Sequence, residues 1–181
     1  MSFFSDIDRI LISEEEINQK VEEIAGQISR DYENKNPVFI GILKGSFVFM
    51  ADLMRKVNIY CDIDFMAVSS YGNRSASTGA VKINKDLSED IEGREVVIIE
   101  DILDSGLTLS YLKKYLMNRN PKSIKICTLL DKPARRTTDI VADYYCFNIP
   151  DAFVVGYGLD YAERYRNLPY IGVLKSEIYT N

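Results

Sequence analysis

Histidine is absent from the 181 residues, and that absence removes Ser-His and Cys-His nucleophilic sites and every imidazole-bound metal. Acid–base chemistry must then rest on Asp, Glu, Lys or Tyr, and any metal must be a hard, oxygen-bound cation. Cysteine is scarce. Cys61, Cys127 and Cys146 are odd in number, far apart and outside any CxxC spacing, so they indicate neither a disulfide framework nor a thiolate metal site and read as small buried hydrophobes. No stretch approaches the ~18 apolar residues of a membrane span. The opening MSFFSDIDRI lacks the basic region and apolar run of a secretory signal, which makes the cytoplasm the expected location and no membrane the expected partner. Positive charge is not in excess either: the net charge of −5 argues against a general nucleic-acid binder, which would present a basic field to phosphates.

What remains is an ordinary globular balance, 46% apolar and 27% charged, in a chain long enough for one full core and too short for two. Ile17, Val21, Ile24, Ile28 and Tyr32 recur every three or four positions, predicting an amphipathic helix over 13–32 with a Ser13/Glu16 capping box. VFIGIL (Val38–Leu43), IYCDIDFMAV (Ile59–Val68), REVVIIED, SIKICTLL (Ser123–Leu130) and FVVGYG (Phe153–Gly158) read as strands, with ADYYCFNI a weaker one. KGSFVFMADLMRKV and LTLSYLKKYLMNRN read as loop-to-helix segments, the second with Leu109, Leu112, Leu116 and Tyr115 facing inward. SSYGNRSASTGAV, rich in Ser and Gly, predicts a long surface loop or lid. Nearly continuous apolar strands alternating with helices predict an α/β fold, a mostly parallel sheet covered by helices on both faces.

One stretch stands apart. VVIIEDILDSGLTL runs an apolar strand into Glu100 and Asp101, then places Asp104 before Ser105-Gly106-Leu107-Thr108. Ligands of parallel α/β sheets bind beyond the carboxyl ends of strands, and a loop turning into a helix offers free N–H groups to an anion. Adjacent strand residues start on opposite faces, so the chain must bend for both acids to serve one ligand. The segment predicts a seat for a phosphate at 104–108, with a hydroxyl-bearing or metal-bound group at the acids; Asp104 or Ser105 simply capping the helix is the competing reading.

These residues resemble the phosphoribosyl-pyrophosphate (PRPP) signature of the type I phosphoribosyltransferases. LKGSF (Leu43–Phe47), SSYGNRSASTG (Ser69–Gly79) and LLDKPARR with IPDAFVVGYGLDYAERYRNLPYIGVL extend the resemblance to the hypoxanthine-guanine phosphoribosyltransferases over nearly the whole chain. It implies transfer of ribose 5-phosphate from PRPP to N9 of hypoxanthine or guanine, with IMP or GMP and pyrophosphate as products. It also implies Mg²⁺, dimers or tetramers, and a small purine-binding hood built from residues 1–12 and 145–181.

Carried over residue by residue, the resemblance puts Glu100 and Asp101 on the ribose, directly or through Mg²⁺, and Asp104 to Thr108 on the 5′-phosphate. Asp104 faces N7 as general base. Lys44 and Gly45, with a cis peptide between them, and Arg166 take the pyrophosphate; Ser70 and Tyr71 are the tip of the lid. Lys132 donates to the purine O6, Phe153 stacks on the base, Val154 reads its edge, and Asp160 lies near the exocyclic group and a second Mg²⁺. Read without the resemblance, Lys44 is a loop lysine, DKPARR a charged loop, and Phe153 and Val154 strand core. Leu107 stands where some relatives carry lysine, as in the bacterial-type branch. The alternatives are a preference for xanthine, or a PRPP-sensing nucleic-acid-binding regulator.

Overall fold

In this computed structural model the structure is described for residues 3–70 and 81–180. Six strands form the central sheet in the order β4-β3-β2-β5-β6-β7: β2 (Val38–Leu43), β3 (Asp62–Ser70), β4 (Val81–Lys85), β5 (Glu95–Leu103), β6 (Ser123–Asp131) and β7 (Tyr144–Asn148). All neighbouring pairs are parallel except β3–β4, which is antiparallel. β2 is flanked by β3 on one side and β5 on the other, so the strand order reverses there, the position at which such sheets open a crevice beyond their carboxyl ends.

Alternation along β5 divides the core in two. Val97 and Ile99 join Ile17, Val21, Ile28, Phe49 and Leu53 of α1 (Glu14–Asp31) and α2 (Phe47–Lys56) on one face. Val96 and Ile98 meet Leu109, Leu112 and Leu116 of α3 (Leu107–Met117) on the other. β5 is apolar on both sides because helices cover both. Ser13 caps α1 with a reciprocal capping box: its hydroxyl accepts from Glu16 N at 3.2 Å, and its own N–H donates to the Glu16 carboxylate at 2.8 Å.

A second sheet of three antiparallel strands, β1-β9-β8, joins the two ends of the chain: β1 (Ile7–Ile12), β8 (Val154–Val155) and β9 (Ile171–Leu174). α4 (Ser176–Tyr179) follows. β1, β4 and β9 went unread in the sequence, being short or partly polar. The strand expected over 59–68 begins only at Asp62, and Tyr60 before it is 91% exposed. The strand expected over 153–158 is only two residues long, because Gly156, Tyr157 and Gly158 all take positive φ (102°, 50° and 101°) and turn the chain out of the sheet. Cys61, Cys127 and Cys146 are free thiols, Cys61 only half-buried. Among the described residues no helix is long and apolar enough to cross a membrane.

Ser13→Ala removes one half of the capping box and is expected to cost about 1 kcal/mol of stability. A urea titration should show a lower midpoint at an unchanged slope.

Candidate active site

The apolar run of β5 ends in acids at the mouth of the crevice. Its side-chain alternation slips there: Ile102 returns to the cluster on the α1/α2 face and Leu103 to the cluster on the α3 face. The slip is the bend that lets neighbouring carboxylates serve one space, and Glu100 and Asp101 line the same cavity of about 320 Å³. Gly45 fits against Asp101 only because it lacks a side chain, since a Cβ there would collide with the Asp101 carboxylate.

Burial pushes Glu100 well above the ordinary carboxylate range, and the charge of Asp101 and a hydrogen bond with it add to the shift. Burial also raises Asp101, against the opposing pull of its bonds with Glu100 and Ile102 N and of the Arg166 charge. The pair therefore titrates as a unit. Glu100 Oε2 is buried without a partner; so are Asp104 Oδ1 and Arg166 Nε at the same cavity.

At 104–108 the capping alternative fails. Gly106, in the left-handed region at φ 83°, is the N-cap of α3 and no side chain caps the helix. Only a long bond of 3.4 Å links Leu107 N to Ser105 Oγ, so the first-turn N–H groups stay available. Ser105, Gly106 and Thr108 line the cavity; the Leu107 side chain does not. The loop is braced from behind by a residue that sequence reading left in a charged loop. Arg136 donates to the Asp104 carbonyl at 3.0 Å, the Leu103 carbonyl at 3.2 Å and the Ile140 carbonyl at 2.7 Å, and pairs with Asp131. Thr137 N donates to the Ser105 carbonyl at 3.0 Å.

Lys44, Gly45, Asp160 and Arg166 complete the first cavity. The cis peptide is Leu43–Lys44, one bond earlier than the expected Lys44–Gly45. Arg166 pairs with Asp160 at 2.9 Å and donates to the Gly158 carbonyl at 2.7 Å.

Asp104 also lines a second cavity, of about 300 Å³, with Ile102, Lys132, Phe153 and Val154. Lys132 is buried, and its Nζ donates to the Ala152 carbonyl at 2.9 Å. Phe153, 38% exposed, stacks on Tyr179 of α4 with centroids 4.6 Å apart and meets Tyr161 edge-on at 5.6 Å. Asp160, expected near the base, lines the first cavity and not the second. Sequence reading missed Ile102, Arg135, Asp151 and Tyr179 of this wall; an aromatic ring five residues after the last strand carries no motif of its own. Of the expected lid, Tyr71 lies outside the described residues, and Ser70 ends β3.

The raised Glu100 makes the ligand-free protein carry a cost that depends on pH. Its folded pKa exceeds the ordinary 4.5, so the native state holds a proton that the unfolded chain releases, and stability falls as pH rises from about 4.5 through the raised folded value. Glu100→Gln is expected to raise the thermal midpoint at pH 8 by a few degrees, about 1 kcal/mol, with the gain vanishing near pH 4. A gain that persists undiminished at pH 4 would show that it does not come from the proton.

The profile of the phosphoribosyl transferase domain matches residues 10–162. The chain is 60% identical over 174 residues, 96% of its own length and 97% of the other's, to the hypoxanthine-guanine phosphoribosyltransferase of Bacillus subtilis (strain 168). It is 56% identical over 179 residues to the bifunctional protein TilS/HprT of Listeria monocytogenes, spanning 28% of that longer protein. A crystal structure of a hypoxanthine phosphoribosyltransferase from Staphylococcus aureus superposes with a TM-score of 0.96 at 51% identity, covering 99% of this chain and 97% of that one. A signature strand ending in paired acids, a carboxylate shared by two cavities, and identity at this level over almost the full length lead to one conclusion: the chain belongs to the phosphoribosyltransferase family, in its hypoxanthine-guanine branch.

Proposed function

We propose that the protein is a purine-salvage transferase that moves 5-phosphoribosyl from PRPP to N9 of hypoxanthine or guanine, giving IMP or GMP and pyrophosphate. The observation that carries the reading is the position of Asp104 on the wall of both cavities. A group transferred between two substrates needs each bound in its own space with the reacting atoms meeting between them, and Asp104 stands at that junction.

The first cavity takes PRPP. Backbone N–H groups and hydroxyls of 105–108 receive the 5′-phosphate, Glu100 and Asp101 receive the ribose hydroxyls, and Lys44, Gly45 and Arg166 receive the pyrophosphate. The second cavity takes the base: Phe153 stacks on it, the Val154 backbone reads its edge, and the Lys132 ammonium donates to O6. Adenine would turn an amino donor toward that ammonium and leave it unpaired, which disfavours adenine strongly. Asp104 accepts the proton released from the purine as N9 attacks, and its negative charge stabilises the positive charge growing at the anomeric carbon. Ser70 and Tyr71 belong to a lid that excludes water from that carbon.

The donors present fit Mg²⁺: hard oxygens, two adjoining carboxyls with a shared proton that a cation displaces, and an unpartnered buried Glu100 oxygen. Among the described residues no three carboxylates converge on one point, which suits an ion that completes its shell with ligand oxygens. Glu100 and Asp101 would hold one ion and Asp160 a second, and Mg²⁺ there would neutralise the departing pyrophosphate. The three free thiols suit the reducing cytoplasm, and we assign a dimer or tetramer on the resemblance.

Purified protein should form IMP from hypoxanthine and PRPP in a Mg²⁺-dependent reaction followed by its ultraviolet difference spectrum; no product with any 6-oxopurine would end this reading. Asp104→Asn should lower kcat by about 10²- to 10⁴-fold, the usual worth of a general base, while Kd for IMP stays within severalfold. An unchanged kcat would remove Asp104 from the proton-transfer role.

A further inference from the structure

The turn from Asp160 to Arg166 carries a carboxylate that none of these roles uses. One oxygen of Glu163, Oε2, lies 3.1 Å from Lys44 Nζ and 3.4 Å from Arg166 Nη2. Both cations line the first cavity, and Glu163 does not. An oxyanion bridging a lysine and an arginine is the arrangement a phosphate oxygen would take between the same two donors. The turn fixes the residue in this place: Glu163 sits at φ 62°, and its N–H donates to Asp160 Oδ2 at 2.8 Å. The same Asp160 carboxylate pairs with Arg166 through its other oxygen, at 2.9 Å.

An exposed ion pair is ordinarily worth little and has no function. Here the Lys44 and Glu163 side chains are indeed 67% and 64% exposed. Arg166 is different: its side chain is 20% exposed, and its buried Nε has no partner. The pairing therefore joins one solvent-washed cation to one committed to the cavity. Its modest strength is a requirement for an anion that has to be displaced, since a tight buried pair would shut the site.

We propose that Glu163 is an internal counter-anion of the diphosphate subsite, occupying Lys44 and Arg166 in the free protein and releasing both when a diphosphate binds. The proposal rests on the assignment of Lys44 and Arg166 to pyrophosphate made above. Glu163 thereby keeps the two cations apart from adventitious anions and weakens the hold on the diphosphate, both in PRPP and in the product that must leave. Removing its charge tightens diphosphate binding, because the incoming anion no longer competes with the carboxylate and no longer meets its repulsion.

Titration calorimetry with inorganic pyrophosphate, with and without Mg²⁺, tests this on the full chain. Glu163→Gln and Glu163→Ala should each lower Kd by about threefold to tenfold, the range expected from losing two exposed ion pairs, and the gap should narrow in high salt. An unchanged or weaker affinity in either variant would overturn the proposal; weakening by Glu163→Ala alone would make the residue an organiser of its neighbours, and weakening only with Mg²⁺ would make it a metal partner. Lys44→Ala and Arg166→Ala should raise Kd. If they do not, the subsite assignment itself fails; if they do while the Glu163 variants bind no tighter, only the counter-anion role is lost.

Discussion

Everything in the site follows from keeping Glu100 and Asp101 adjacent and buried at the end of β5. Two carboxyls in protein surroundings cannot both stay ionised without a cation or a shared proton, and this pair raises its own pKa and shares one. The cost is confined to the place where β5 loses its pairing with β2, past Ile99, while it still pairs with β6 as far as Leu103. There the slip after Asp101 brings both groups to one cavity, and Gly45 admits the Asp101 carboxylate against its α-carbon. On the function proposed above, a ligand bringing hydroxyls and a cation would relieve what the free protein tolerates.

The loop after the acids is braced by groups that line neither cavity. Arg136 ties the Leu103 and Asp104 carbonyls, Thr137 ties the Ser105 carbonyl, and a side chain on Gly106 would collide with Thr138 and Ile140. The turn at 104–108 is thus pressed between its own helix and the segment following β6. Asp104 is tied through its backbone carbonyl while its buried Oδ1 has no partner among the described residues, as the proposed role of a group that meets the substrate would require.

Charge on the opposite wall is arranged with the same economy. Arg166, Lys44, Asp160 and Glu163 form one chain of contacts across two loops distant in sequence, which balances the cations of the cavity without closing it. At the second cavity, Val154 of the small sheet and Phe153 just before it form part of the wall, and α4 brings Tyr179 onto the Phe153 ring. On the proposed function, an acidic protein would bind an anionic substrate by turning its acids to hydroxyls and its few cations to phosphate.

Local pattern determined a good deal. The period of α1 and its capping box, the buried faces of α3, the parallel β2, β5 and β6, and the strand-end placement of Glu100, Asp101 and Asp104 all follow from residue order, because helix and strand periods and cap chemistry are short-range. Resemblance added the sets that meet at each cavity. The tertiary structure alone decided the rest: β1 and β9 pair across almost the full chain length, the strand at 153–158 is cut short by backbone turned to positive φ, and Asp160 falls in the first cavity with Lys44 and Arg166. Arg136, Glu163 and Tyr179 acquire meaning only from partners far away in sequence, and a long-range contact leaves no periodic trace in the chain that makes it.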